Sequence, residues 1–441
     1  MEIDVLLLNA MVYIATFVYI YLKERRLSIY VLSWSIFTVV AIMGYVILFT
    51  GDWDINNPNI GRTLPITPYL FAYATLLLIT HPFKGYEEKN LNLKILRPNP
   101  TIDKLCGVMI FAYVFLGAVT GITAYIVAST IGYGEAYEMV NEGGSEGTLL
   151  GIVLGKGLLF WIYRICCWIV IPTPFFIMYY LTKLHYDEKN WLRYFLFILL
   201  SQARPMCQAL IGGSKGALFF LLFNVIFYFV LFRKNFSSTL QSRIKQLMVP
   251  IIFMFGILAV TITSSRIENK QGFVNSAETK NSLFSYLGQP FPNLGYYYYD
   301  KINKHPYGRR FFPEFFNPNT EQIYLKNNMT RTEYWNSELP VPMEKFKTMW
   351  GDWYVEYGLL GSILGLFFMY LFFKKICFDY KYHIFCIPIL AYYYEKVCMF
   401  AFATGTGIAG SDAHKGFLIS ALVSFLLYVY EKSNVQRTFI K

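Results

Sequence analysis

Long apolar blocks, broken only by short polar connections, run through this chain from residue 5 to residue 430. Neither helical nor strand periodicity is visible within them, so lipid rather than water is the solvent that most of the chain expects. A span needs about 20 mostly apolar residues, at ~1.5 Å each, to cross ~30 Å of hydrocarbon. On that rule about eleven spans are predicted, over 5–22, 27–49, 65–79, 105–131, 158–181, 194–211, 217–232, 247–263, 353–373, 383–403 and 416–430. Charged residues make up only 15% of the 441, against about 25% in an average soluble domain, which argues against both disorder and a soluble globular enzyme. The expected fold class is therefore an all-α polytopic membrane protein.

The formal net charge of +11 does not point to nucleic acid, because the basic residues form no single patch and no DNA-reading pattern. They stand in small clusters between apolar blocks, beginning with Lys23, Arg25 and Arg26 after the first span. Taking that side as cytoplasmic, the inside connections and the C-terminus hold 21 Lys and Arg, and the short outside connections about 4 (Arg62, Lys156, Lys215, Lys415). The bias predicts an N-terminus outside and a C-terminus inside. An acidic start, Met1 to Asp4, precedes the first apolar run, so no cleavable signal peptide is expected.

This orientation puts one long connection, 264–352, on the outer face and divides the chain into 1–263, 264–352 and 353–441. The connection is polar but rich in aromatics, among them the run Tyr296 to Tyr299, with Arg309 and Arg310 nearby. Disordered segments are poor in such residues, so a folded extracytoplasmic cap resting on the bundle is expected. All seven cysteines lie in or beside apolar segments, and the five histidines are scattered without an HExxH. Neither a disulfide framework nor a dedicated metal site is indicated.

Cations at membrane depth cost about 2.5–3.5 kcal/mol on insertion scales and need a reason. Arg204 lies eleven residues beyond Arg193, ~16 Å along a helix, too deep to snorkel out. Pro205 follows it and is expected to break backbone hydrogen bonding and bend the helix there. Arg164 is nearer an outer end; Lys396 sits beside Glu395, and neighbours in sequence do not face each other on a helix. Each arginine could serve a structural ion pair or a carbonyl contact, or line a cavity that binds an anionic ligand. Arginine suits the second role because it stays charged in a dry site and offers a planar fork to phosphate oxygens. Two further cations are expected at the same level: Lys215, in the glycine-rich turn Gly212-Gly213-Ser214-Lys215-Gly216 that opens a span, and Arg266, after Ser264-Ser265.

Those two motifs, with Trp350-Gly351-Asp352-Trp353-Tyr354-Val355-Glu356-Tyr357-Gly358-Leu359-Leu360-Gly361 closing the long connection into a span, resemble the oligosaccharide repeat-unit (O-antigen, Wzy-type) polymerases of bacterial cell envelopes. Lys215 stands where that family commonly has arginine, and Glu356-Tyr357-Gly358 where an Asp-x-Gly is commoner. The resemblance implies a metal-independent GT-C-type glycosyltransferase of the bacterial inner membrane, without cofactor. Its substrate would be undecaprenyl-diphosphate-linked oligosaccharide, polymerised at the outer leaflet into surface polysaccharide such as lipopolysaccharide or capsule. A chain-length regulator and a flippase are candidate partners that it implies.

Within that reading Arg164, Arg204, Lys215 and Arg266 bind the lipid diphosphate, and Arg266 also steadies charge on the leaving group. The acceptor hydroxyl needs a base. His305, the one histidine of the long connection, is the first candidate and Asp352 the second; Asp300, Glu356, Asp412 and His414 compete. Two other functions stay open: a ligase that hands finished glycan to a different acceptor, and a flippase of lipid-linked glycan. A flippase commonly shows internal repeats, and none is visible.

Overall fold

The computed structural model describes residues 4–49, 59–84, 91, 93–132, 154, 157–211, 215–271, 284–285, 287–310, 331–342, 348–375, 386–401 and 418–430. All regular structure among these residues is helical. Six helices are long and apolar enough to cross a membrane: Val5–Glu24, Ile29–Phe49, Pro100–Ile131, Glu188–Ile211, Ser238–Ile262 and Thr348–Lys374. A bent pair, Leu158–Ile169 and Thr173–Tyr186, makes a seventh if it counts as one span. The other expected segments also hold helices, at Thr67–Thr80, Lys215–Phe232, Ile387–Met399 and Leu418–Tyr430. Large side chains such as Phe111 (70% exposed) and Trp168 (73%) stand outward from these helices, as lipid-facing residues do.

Local chemistry places several helix ends. Asp4 accepts hydrogen bonds from the backbone N–H groups of Leu6 and Leu7, both at 3.0 Å, so the first helix starts at the first apolar residue. Arg25, in the left-handed conformation at φ 48°, ends it. Ser28 and Asn99 cap the next helix and the Pro100 helix in the same way as Asp4. One expectation is corrected. The 158–181 block is not one straight span but turns by 60° between Ile169 and Thr173, with Pro172 and Pro174 at the bend. The helix Trp191–Ile211 runs on through Pro205, whose nitrogen has no proton to give the backbone ladder.

The chain forms two compact units. One comprises 1–87, 280–381 and 393–415; the other 88–279, 382–392 and 416–441. In the first, the helices Val5–Glu24, Ile29–Val46, Thr67–Thr80 and Thr348–Lys374 surround an aromatic core. Tyr13 packs against Trp34, Tyr73 and Phe291 with ring centroids 5.4–5.9 Å apart, and Trp350 packs against Phe37 and Phe291.

Phe291 belongs to the long connection, and its position corrects the expectation of a cap merely resting on the helices. Residues Pro290–Asn293 are fully buried, and Tyr69 donates its hydroxyl proton to the Phe291 carbonyl at 3.1 Å. Glycine permits this close approach: a Cβ at Gly288 would lie 2.4 Å from the Met43 carbonyl oxygen. A second cluster, of Tyr298, Ile302, Trp335, Leu339, Val341 and Val355, ties the parts of the connection around Tyr298 and Trp335 to the Thr348–Lys374 helix. Thus part of the connection is core rather than cover.

In the other unit, the Pro100–Ile126 helix packs on Trp191–Ile211 and on Leu158–Ile169. Tyr113 and Thr173 share a hydrogen bond of 2.8 Å across the bend, and Tyr179 donates to Asp103 at 2.9 Å. Lys183 pairs with the same Asp103.

Candidate functional site

Asp352 and Glu356 are four residues apart near the start of the Thr348–Lys374 helix, which sets their side chains on one face. Both are buried, and both are met by Arg310 from the long connection. Its Nη1 lies 3.1 Å from Asp352 Oδ1, its Nη2 3.0 Å from the Asp352 carbonyl oxygen, and its Nε 2.9 Å from Glu356 Oε2. The other Glu356 oxygen accepts the backbone N–H groups of Gly308 (2.7 Å) and Arg310 (3.1 Å). One guanidinium thus faces two carboxylates, and two amide dipoles offset the excess negative charge.

Residues 305–310 form a strap across this helix. Tyr307 and Gly308 both have positive φ (53° and 94°), in the turn whose Gly308 and Arg310 N–H groups converge on Glu356 Oε1. Tyr307 N–H donates to the Glu356 carbonyl at 2.9 Å, closing the strap on the backbone as well.

His305 opens the strap. Its Nδ1 lies 2.9 Å from the Val355 carbonyl oxygen, which can only accept, so Nδ1 carries the proton. In the neutral ring Nε2 is then the acceptor nitrogen, and the half-buried ring is set edge-on to Tyr354 and Tyr307. The helix makes room for it at Gly358, where φ is 68° and ψ −176°. A Cβ there would lie 3.0 Å from Nε2. An imidazole whose ring is oriented by a backbone carbonyl meets one requirement of general-base chemistry.

The sequence candidates fare unequally. His305 and Asp352 are brought together, through Arg310 and the strap. Asp352 itself is buried and bound to Arg310. Glu356 is likewise held in the same pair. Asp300 is exposed, with φ 58°, and its N–H is shared with the Tyr354 hydroxyl at 3.3 Å.

Arg204 and Arg164 belong to the other unit. The Arg204 guanidinium lies over the Tyr163 ring at 5.9 Å, and its Nε is buried without a hydrogen-bond partner among the described residues. Among those residues no carboxylate pairs with it. Arg164 is exposed and rests on rings of its own helix, Phe160 and Trp161, at 5.8 and 5.7 Å. Lys396 does reach Glu395, at 3.5 Å, against the expectation from their adjacency. The side chains of Lys215 and Arg266 lie outside the described residues, as do Asp412 and His414. Among the described residues no cluster of three His, Cys, Asp or Glu is placed to hold a metal ion.

Arg310 is the residue that sequence reasoning passed over. The spacing of Asp352 and Glu356 carried the signal, since two carboxylates on one helical face beside apolar sequence require a cation. Comparison of the chain with protein-family models, with curated proteins and with solved structures returns no match.

Proposed function

We propose that the chain is a membrane glycosyltransferase that polymerises undecaprenyl-diphosphate-linked oligosaccharide repeat units at the outer leaflet of a bacterial inner membrane. The observation that carries the reading is His305, a half-buried imidazole whose Nδ1–H is engaged by the Val355 carbonyl and whose Nε2 edge is seated against Gly358. It stands on the helix that holds the closing motif of the resemblance, Trp350 to Gly361.

In this reading Nε2 takes the proton of the acceptor sugar hydroxyl as its oxygen attacks the anomeric carbon of the growing glycan. The bond from that carbon to the lipid diphosphate breaks, and the diphosphate leaves with the electron pair. Cations offset that charge without a metal. Arg204, in the other unit, is assigned this role on its residue type and its position along the chain, eleven residues beyond Arg193. Arg266, Lys215 and Arg164 are assigned to the same diphosphate on their residue types and positions in sequence.

Cells producing the His305→Gln and Arg266→Ala variants test the proposal. Loss of the base is expected to slow polymer formation by about 10²–10⁴-fold. Both variants should lose the polymer ladder on a gel of surface glycan, while single lipid-linked units remain open to an external lectin. An unchanged ladder overturns the assignment for the residue concerned. Units shielded from the lectin would instead identify a flippase, and long lipid-linked polymer that never reaches its final acceptor would identify a ligase.

A further inference from the structure

Beside the buried cluster of Tyr298 and Trp335 lies a cleft of about 520 Å³, within the range of small-ligand sites. Thr63, Tyr296, Tyr297, Lys301, Pro340 and Pro342 line most of it. We propose that this cleft is a binding subsite for an oligosaccharide chain, separate from the residues that carry out glycosyl transfer. The proposal rests on the function proposed above for the nature of the glycan, but its geometry is independent of His305.

The lining matches the chemistry of a pyranose. A sugar ring offers a C–H face to an aromatic or proline ring and a rim of hydroxyls to polar groups. Tyr296 is 41% exposed and meets Tyr297 edge-on, with centroids 4.9 Å apart, which leaves ring surface available for such a face. Lys301 and Thr63 supply a charged donor and a hydroxyl for the rim. Among the described residues no carboxylate lines the cleft. An acyl chain would leave Lys301 and the polar edges unanswered.

The walls are also held in place before any ligand arrives. The Tyr298 hydroxyl, beneath the cleft, donates to the Pro342 carbonyl and so joins its two sides. Gly295 is pressed against Tyr69, where a Cβ would lie 2.5 Å from the hydroxyl oxygen. A site ordered in advance loses less entropy on binding. Onward from the cleft, Tyr299 packs on Tyr354 at 5.2 Å, and Tyr354 on His305 at 5.8 Å. The chain that forms the cleft wall thus leads directly to the proposed base.

The test uses full-length protein in nanodiscs and, as probe, oligosaccharides released by mild acid from the surface polymer of the producing cells. Tyr296→Ala with Lys301→Gln is expected to weaken binding at least tenfold and to shorten the polymer in cells, while glycosidic linkages still form. Both positions are exposed, and a thermal unfolding curve matching the unmodified protein establishes that the fold is kept. Should this pair fail to fold, Lys301→Gln alone, with several-fold weaker binding expected, takes its place. Unchanged binding and unchanged polymer length in a folded variant overturn the proposal. So does preferential binding of a proline-rich peptide, the other partner that an aromatic groove can take. Normal polymer from His305→Gln together with glycan binding that depends on Tyr296 would sink the catalytic reading and leave the subsite standing.

Discussion

Gly358 combines a backbone conformation that side chains avoid with a neighbour that leaves no room for one. Its φ of 68° and ψ of −176° fall in a region open to glycine almost alone, and His305 Nε2 occupies the space a Cβ would need. Gly358→Ala should therefore cost about 1–3 kcal/mol of stability from backbone strain and push the imidazole off its seat. Glycan synthesis is expected to fall more than the amount of folded protein, and the ratio of the two, measured in membranes, checks this. A variant that is folded and fully active would show that the imidazole position is not critical. The glycine itself was legible within the closing motif, whereas its conformation was not, because that depends on a histidine 53 positions earlier in the chain.

The strap of residues 305–310 and the helix it crosses act as one element held by charge. Removing one member of a buried pair leaves the other unpaired, at a cost of about 3–5 kcal/mol. Arg310→Ala strands two carboxylates and should lower thermal stability by that order, whereas Arg309→Ala, at an exposed position next door, should change it little. Equal effects from the two substitutions would contradict the account. The i, i+4 carboxylates were readable as a pattern in the sequence. Which of the eleven cations in the long connection answers them was not, since pairing across 42 and 46 residues is a matter of the fold. Arg204 shows the same division: its depth followed from counting residues along a helix, but its stacking under Tyr163 comes from a different helix.

Across the whole molecule, the asymmetry of Lys and Arg predicts that reporters fused after Lys432 report cytoplasm, and those inserted at Arg62 report the outer side. Alkaline phosphatase and fluorescent-protein fusions read this directly, and the opposite pattern at both sites would invert the topology. Membrane character and helical class were written in the chain itself, because every backbone group in lipid must be satisfied within its own segment. Apolar block length and the basic clusters are local quantities, legible residue by residue along the chain. The burial of Phe291 among three helices, the bend at Pro172 and the meeting of Arg310 with Asp352 and Glu356 are not local. They arise where aromatic packing and the cost of an unpaired buried charge select one arrangement among many that the same helices could adopt, and that selection is made only when distant segments touch.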